Sequence, residues 1–288
     1  MIQYLTSADM VPGRPGARAD LWELEAQLAE LVPALSRRGA RLDLQVWTEG
    51  DSLGKNAGVV VIGTPWDYST SLDSFLGRLG DIDVPLLNPL AIVRENADKR
   101  YLASLERAGL PIVPTEWAQD LVADDLPAAL QRWGGPIVVK KVVGACAAGQ
   151  VLWKGEGQPP EPPAGAVMVQ PFLPGAVEFG ELSLVYFDRR FSHAVHKVPA
   201  PGDYRVQSVY GGRERPCDPP AAAVDIGRRA LEAVEGELLI ARVDLVPDGA
   251  TWRVMELELI EPYLYAVEGP GMGERFADAL ASILRRIA

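Results

Sequence analysis

The chain has 288 residues, with 28 Lys and Arg against 39 Asp and Glu, and so a formal net charge of −11. That length suggests two domains with sizeable cores, and 48% apolar with 23% charged residues excludes a disordered chain. The acidic balance argues against nucleic acid and anionic membranes as partners, no stretch has the length of an apolar membrane helix, and two histidines leave any metal site to carboxylates. Two isolated cysteines, Cys146 and Cys217, and the lack of a basic flank and apolar block at the start fit a cytoplasmic location.

A short apolar start, Ile2 to Leu5, runs into a Pro- and Gly-rich loop at residues 11–16. Leu21, Leu24, Leu28, Leu31 and Leu35 recur at helical spacing, with Asp20 as N-cap and Gly39 as the stop. Leu42 to Val46 alternates like a strand. Val59-Val60-Val61-Ile62 is a continuous apolar run, expected of a parallel strand covered on both faces. A helix over Leu72 to Leu79 and a short strand near Leu86 complete an α/β, Rossmann-like open-sheet domain ending near residue 95. Next come a helix from Asn96 to about Gly109, a short strand bracketed by Pro111 and Pro114, a helix over Leu126 to Trp133 and a strand over Pro136 to Lys141. The small-residue loop Gly144 to Gln150 follows, and a Pro-rich connection spans residues 158–163. Strands then dominate: Val167 to Gln170, Glu181 to Phe187, Phe191 to Val198, Ala241 to Val246 and Thr251 to Leu259, with helices at residues 222–235 and 274–287.

Chemistry gathers in three places. A hairpin turn at Pro247-Asp248-Gly249 joins two late strands. Glu256 and Glu258, two apart, share a face, which Asp244 joins if the register allows, while Met255, Leu257 and Leu259 form the buried face. Three converging carboxylates need a cation, and hard oxygen donors suit Mg2+. Lys140 ends an apolar strand just before the Gly- and Ala-rich loop, a place where backbone N–H groups and a lysine can meet phosphate oxygens. Lys197, Arg205 and Arg213, with Gly211 and Gly212, form a local basic segment inside the acidic chain. His193 and His196, three apart on a strand, face opposite sides and read as structural rather than as a metal pair.

Together, the late carboxylates, two separated lysines, a flexible loop and a central basic segment resemble the ATP-grasp superfamily, on its glutathione-synthetase and ribosomal-protein-glutamate-ligase branch. Trp66-Asp67-Tyr68, residues 96–102, 180–185, 192–197 and 255–262 look more narrowly like the bacterial subfamily containing the cyclo-ligase that closes cycloserine from O-ureido-serine. The resemblance implies a pre-ATP-grasp domain over residues 1–95 and an α+β ATP-grasp fold of two subdomains, a central or lid part over 96–168 and a C-terminal part over 169–288 with the metal site. It implies that Lys99, Lys140 and Gly144 meet the ATP phosphates and that Gln170, Phe172 and Leu173 read the adenine, Gln170 standing in place of the usual acid. Glu181 would bind the ribose hydroxyls, and Lys197 and Arg205 would face the γ-phosphate and the acyl phosphate, with Arg205, Lys197 and Lys140 as the catalytic set. Asp244, Glu256 and Glu258 would hold two Mg2+ ions, Glu258 replacing the family's usual Asn.

The implied activity is ATP- and Mg2+-dependent activation of a carboxylate, of an amino acid, as an acyl phosphate, followed by C–N bond formation with an amine. The partners are small-molecule carboxylate and amine substrates, and the resemblance allows a homodimer. An intramolecular cyclo-ligase of the O-ureido-serine type, a kinase and a non-catalytic nucleotide-binding protein are the alternatives. The substrate pocket is expected around Thr64, Trp66, Asp67 and Tyr68 at the C-terminal end of the Val59 to Ile62 strand, with Arg205, Gly211 and Gly212 as further substrate residues. Trp66 to Tyr68 reads equally as a turn capped by a core aromatic. Cys146 reads as a small filler. Asp244→Asn or Glu256→Gln is expected to abolish turnover and leave the fold intact.

Overall fold

The computed structural model describes residues 1–144 and 149–288. The expected Ala-rich stretch and Cys146 therefore lie outside the described residues. The first sheet is parallel, with strand order β2-β1-β3-β4 made of β1 (Ile2–Thr6), β2 (Leu42–Val46), β3 (Val59–Thr64) and β4 (Leu86–Leu87). Helices α1 (Leu21–Arg37), α2 (Leu72–Gly80) and α3 (Leu90–Asn96) accompany it. The unbroken apolar run of β3 serves two cores: Val59 and Val61 pack with β1 and α1, whereas Val60 and Ile62 pack with Phe75 and Leu79 of α2. A strand covered on both faces has no polar side, which is why the run does not alternate.

The middle of the chain contributes α4 (Tyr101–Arg107), β5 (Glu116–Gln119), α5 (Leu126–Trp133), β6 (Ile137–Lys141), β7 (Val151–Trp153) and β8 (Ala166–Pro171). Its strands form an antiparallel sheet of order β5-β8-β6-β7. Here alternation is strict. Ile137, Val139, Val167 and Val169 pack against Leu126 and Ala129 of α5, and the residues between them point the other way.

The remaining elements are α6 (Gly175–Glu178), β9 (Glu181–Phe187), β10 (Arg190–Val198), β11 (Arg213–Cys217), α7 (Ala221–Glu232), β12 (Ile240–Asp248), β13 (Thr251–Glu258) and α8 (Met272–Ile287). They build a five-stranded antiparallel sheet of order β11-β10-β9-β12-β13. One face packs on α7 through Leu184, Val243 and Leu245. The other is apolar at one end, where Val185, Phe187 and Val195 join Tyr4, Leu24 and Phe276 of α8 in a single core. At its other end that face becomes polar, with Glu181, Lys197, Arg242 and Asp244.

Buried asparagines fasten the first sheet to the last. Asn88 donates to the carbonyls of Ile240 (2.7 Å) and Leu259 (2.8 Å) and accepts from the Leu239 N–H (2.7 Å). Asn96 bonds Leu257 O and Leu259 N, and the Tyr101 hydroxyl accepts from Leu257 N. These side chains supply the partners that the outer edge of β13 would otherwise lack.

Several local expectations change. The helix expected from Asn96 is two short helices, because Asn96 closes α3 and its side chain is committed to β13. The strand expected between Pro111 and Pro114 starts later, at Glu116, and Ile112 makes only one bridge, to Val254. Asp20 precedes α1, but its carboxylate is held by Arg18 at 2.7 Å instead of capping the helix. Among the described residues no helix is long and apolar enough to cross a membrane.

Candidate functional site

A large cleft lies where the three sheets meet. Its first wall is the free face of the small antiparallel sheet: Val138 and Lys140 of β6, and Met168 and Gln170 of β8. The second is the polar end of the five-stranded sheet, and the third comes from Trp66, just after β3, and from Asp20 and Glu23 at the start of α1. Pro171, Phe172 and Leu173 line the seam where β8 leaves the small sheet, and the Phe172 N–H bonds Pro136 O at 2.8 Å. Apolar Val138, Met168, Phe172, Leu173 and Val246 give this end room for a flat ring, while the far end is ionic.

The ionic end is a chain of paired charges. β12 and β13 place Asp244 opposite Glu256 and Arg242 opposite Glu258. A bulge after Asp244 gives β13 one extra residue there, so Met255 turns into the cleft beside Glu256, while Val254 and Leu257 face the core. Met255 was expected on the buried face; strict alternation cannot anticipate a bulge. The Arg242 guanidinium lies 2.9 Å from Asp244 and 2.5 Å from Glu258. Ser183 of β9 donates to Asp244 at 2.5 Å, Lys197 pairs with Glu181 and stands 3.7 Å from Asp244, and Lys99 pairs with Glu256 at 2.5 Å while donating to Gly144 O.

Each group titrates accordingly. Burial opposes the charge on Asp244, but Arg242 and Lys197 outweigh it and bring its pKa down to about 2. Lys197 is raised, because Asp244 and Glu181 overcome the cost of its burial. Burial raises Glu181. Lys99, against burial, lowers Glu256. Glu258 goes the other way: burial, with repulsion from Glu256 and Asp244, prevails over Arg242 and lifts it to about 7. Lys140 is lowered, chiefly by burial, and no hydrogen bond or ion pair engages its ammonium among the described residues. An unpartnered cation at the edge of a cleft, beside Gly144, matches an anionic ligand.

The acids do not yet converge. Among the described residues no group of three acidic, Cys or His side chains is arranged to share a metal ion, because Arg242 and Lys99 occupy the spaces between them. Their chemistry nevertheless fits Mg2+: hard oxygen donors on one face, opening on the same cleft as Lys140.

Comparison with known proteins places this architecture. The family described as D-cycloserine synthetase DcsG, N-terminal domain, matches residues 2–88. The cycloserine biosynthesis protein DcsG of Streptomyces lavendulae is 28% identical, over 91% of this chain and 95% of its own. A crystal structure of D-cycloserine synthetase DcsG aligns with a TM-score of 0.82 at 24% identity, covering 98% of this chain and 99% of the other. D-alanine–D-alanine ligase from Bacillus anthracis gives 0.70 at 15%, covering 99% and 97%. The RimK domain ATP-grasp protein of Sphaerobacter thermophilus gives 0.66 at 17%, covering 98% and 100%. The chain has the fold of these ligase and ATP-grasp structures.

Within this cleft the structure gathers Trp66, Lys99, Lys140, Gly144, Gln170, Phe172, Leu173, Glu181, Lys197, Arg205, Asp244, Glu256 and Glu258. Gln170 is buried and donates to the Thr115 hydroxyl at 2.9 Å. Arg205 lies at the rim, bound to Asp203 at 2.8 Å and stacked 3.6 Å over Tyr210. Five expected residues do not line the cleft, buried Thr64 among them. Asp67 accepts the Trp47 indole N–H at 2.6 Å, and Tyr68 is buried against Phe75. Gly211 and Gly212 shape the loop that carries Arg205: Gly211 adopts a positive φ of 80°, and a Cβ on Gly212 would meet Val206 O at 2.0 Å. His193 and His196 are held apart, by Leu264 O and Phe179 O respectively.

Sequence reasoning missed Arg242 as a site residue, although it alternates with Asp244 on one strand face. It also missed Glu261 and Glu23, whose places in the cleft depend on the first sheet docking against the last.

Proposed function

We propose that this cleft activates a substrate carboxylate with ATP, forming an acyl phosphate and ADP, and then lets a nitrogen nucleophile displace phosphate to make a C–N bond. The observation that carries the reading is the Lys140 ammonium, unpartnered among the described residues, in one cleft with Asp244, Glu256 and Glu258 that also offers an apolar slot. Val138, Met168, Phe172 and Leu173 would enclose the adenine, and Glu181 would take the ribose hydroxyls. Lys140 and Lys99 would hold the phosphates, with Gly144 adjacent. Asp244, Glu256 and Glu258 would hold Mg2+, two ions in this reading, which supply charge neutralisation of phosphate oxygens.

The chain's own groups then act in order. Lys140 and Lys197 stabilise charge on the transferring phosphoryl group. Arg242, buried between two acids, and Arg205 at the rim are placed to meet the oxyanion that forms when nitrogen attacks the acyl carbon. Enclosure between two sheets keeps water from the acyl phosphate.

The likeness to D-cycloserine synthetase along most of the chain favours one form of this activity, ring closure within a single substrate. An ADP-release screen with amino acids singly and in pairs, with product masses, tests both. A product lighter than one substrate by water marks cyclisation; the mass of two substrates less water marks joining. ADP formation that yields only a phosphorylated product identifies a kinase. ATP binding without phosphate release across the screen overturns the reading and leaves a nucleotide-binding scaffold.

A further inference from the structure

Most acids around the cleft are paired, and Glu214, which has no ion pair or side-chain hydrogen bond among the described residues, is only half-buried. Asp20 is held by Arg18, Glu23 by the Ser208 hydroxyl at 3.0 Å, Glu181 by Lys197, Asp244 by Ser183 and Arg242, Glu256 by Lys99 and Glu258 by Arg242. Glu261 is different. It lines the same cleft at 4% exposure, and its Oε2 is buried with no hydrogen-bond partner. Its position is nonetheless fixed, because its carbonyl accepts the Trp66 indole N–H at 3.0 Å. The neighbouring cations are already committed, Lys99 to Glu256 and Arg242 to Asp244 and Glu258. A buried carboxylate oxygen with no donor among the described residues is costly, so a donor supplied by a ligand would be worth more here than at a solvated acid. With Glu256 and Glu258 on the same side of the cleft, a positively charged donor gains more than a neutral one.

Resting on the ligase reading above, we propose that Glu261 is the substrate's ammonium site. The carboxylate to be activated belongs to an amino acid whose charged nitrogen is hydrogen-bonded by Glu261, and its carboxylate points toward Arg242 and the phosphate-binding lysines. Trp66 acts as a positioning residue, holding the Glu261 backbone from the first sheet.

The test uses the full chain with ATP and Mg2+ and matched pairs of substrates: each amino acid that supports ADP release, and the same carboxylic acid lacking the amino group. Wild type is expected to prefer the amino acid by about 100-fold or more in kcat/KM, since a site built for a polar group is left unpaired by the analogue. Glu261→Gln should raise KM for the amino acid about 10- to 100-fold, the effect of losing a charge-assisted hydrogen bond, with kinetics toward the deaminated acid and the Mg2+ dependence unchanged. Equal use of both substrates by wild type overturns the proposal while the ligase reading stands. So does a Glu261→Gln variant whose Mg2+ dependence shifts while KM holds, which would make Glu261 a metal ligand. If no carboxylate releases ADP, the ligase reading fails by itself. The ammonium site is then read from thermal shifts of the nucleotide-free protein with the same pairs. A shift with amino acids alone, lost in Glu261→Gln, supports the site, and no difference between pair members overturns it.

Discussion

Glu258 is the acid whose replacement should trade function for stability. Its side chain is 20% exposed and stands 2.5 Å from Arg242, with Glu256 and Asp244 on the same face. Burial and those like charges lift its pKa to about 7 from an ordinary 4.5. A raised acid favours the folded state while protonated. Its contribution is complete below about pH 4.5 and is lost as the pH rises through about 7. At 1.36 kcal/mol per pH unit, that interval corresponds to about 3 kcal/mol. Glu258→Gln cannot lose a proton and keeps an amide oxygen for Arg242. Without nucleotide or divalent cations, it should be more stable than wild type by up to about 3 kcal/mol at pH 8, and nearly equal to it near pH 4.5. Urea denaturation at both pH values measures this, with the difference between the two proteins isolating Glu258 from the other raised acids, Glu23, Glu181, Glu214, Glu261 and Glu268. Mg-ATP turnover should fall in the same variant, as expected where an active site holds charge at a cost in stability. Equal pH slopes for wild type and variant between pH 5 and 8 would refute the reasoning.

Three other substitutions separate structure from chemistry. Asp244→Asn should abolish turnover but, contrary to expectation from sequence, should not leave the fold untouched: Arg242 and Lys197 lose a buried counter-ion, at about 3 kcal/mol, and an unchanged denaturation midpoint would contradict this. Lys140→Met removes a half-buried cation that has no ion pair or hydrogen bond among the described residues, so stability should hold or rise while ATP affinity falls at least about tenfold; calorimetric titration with ATP gives the affinity, and undiminished binding would remove Lys140 from the phosphate site. Asn88→Ala leaves the carbonyls of Ile240 and Leu259 and the Leu239 N–H unpaired, and should cost about 2–4 kcal/mol. A loss below 1 kcal/mol in a denaturation experiment would show that water replaces the asparagine.

Much of the site was readable because strand parity is local. Glu256 and Glu258 share a face whatever surrounds them, and Lys140 follows an apolar strand into small residues. Parity fails where register is not local. The bulge after Asp244 turns Met255 into the cleft, and nothing in the sequence of β13 alone announces it, because a bulge is a relation between two strands. Tyr68 and Asp67 adjoin Trp66 in sequence but turn to Phe75 and Trp47, since the turn after β3 points only one of the three into the cleft.

By itself the sequence determined most of the elements, the α/β start, the carboxylate hairpin, the lysine at the cleft and, by resemblance, the ATP-grasp fold. These follow from periodicity, turn chemistry and residue type, which act over a few neighbours. Only the tertiary structure decided which charges neutralise which. Arg242 bridges Asp244 and Glu258 within one hairpin, whereas Lys99 reaches Glu256 across 157 positions of chain. Among the described residues the tertiary structure also left the Lys140 ammonium and Glu261 Oε2 without hydrogen-bond partners. An ion pair depends on distance and burial, and both are set when the three sheets close on one another.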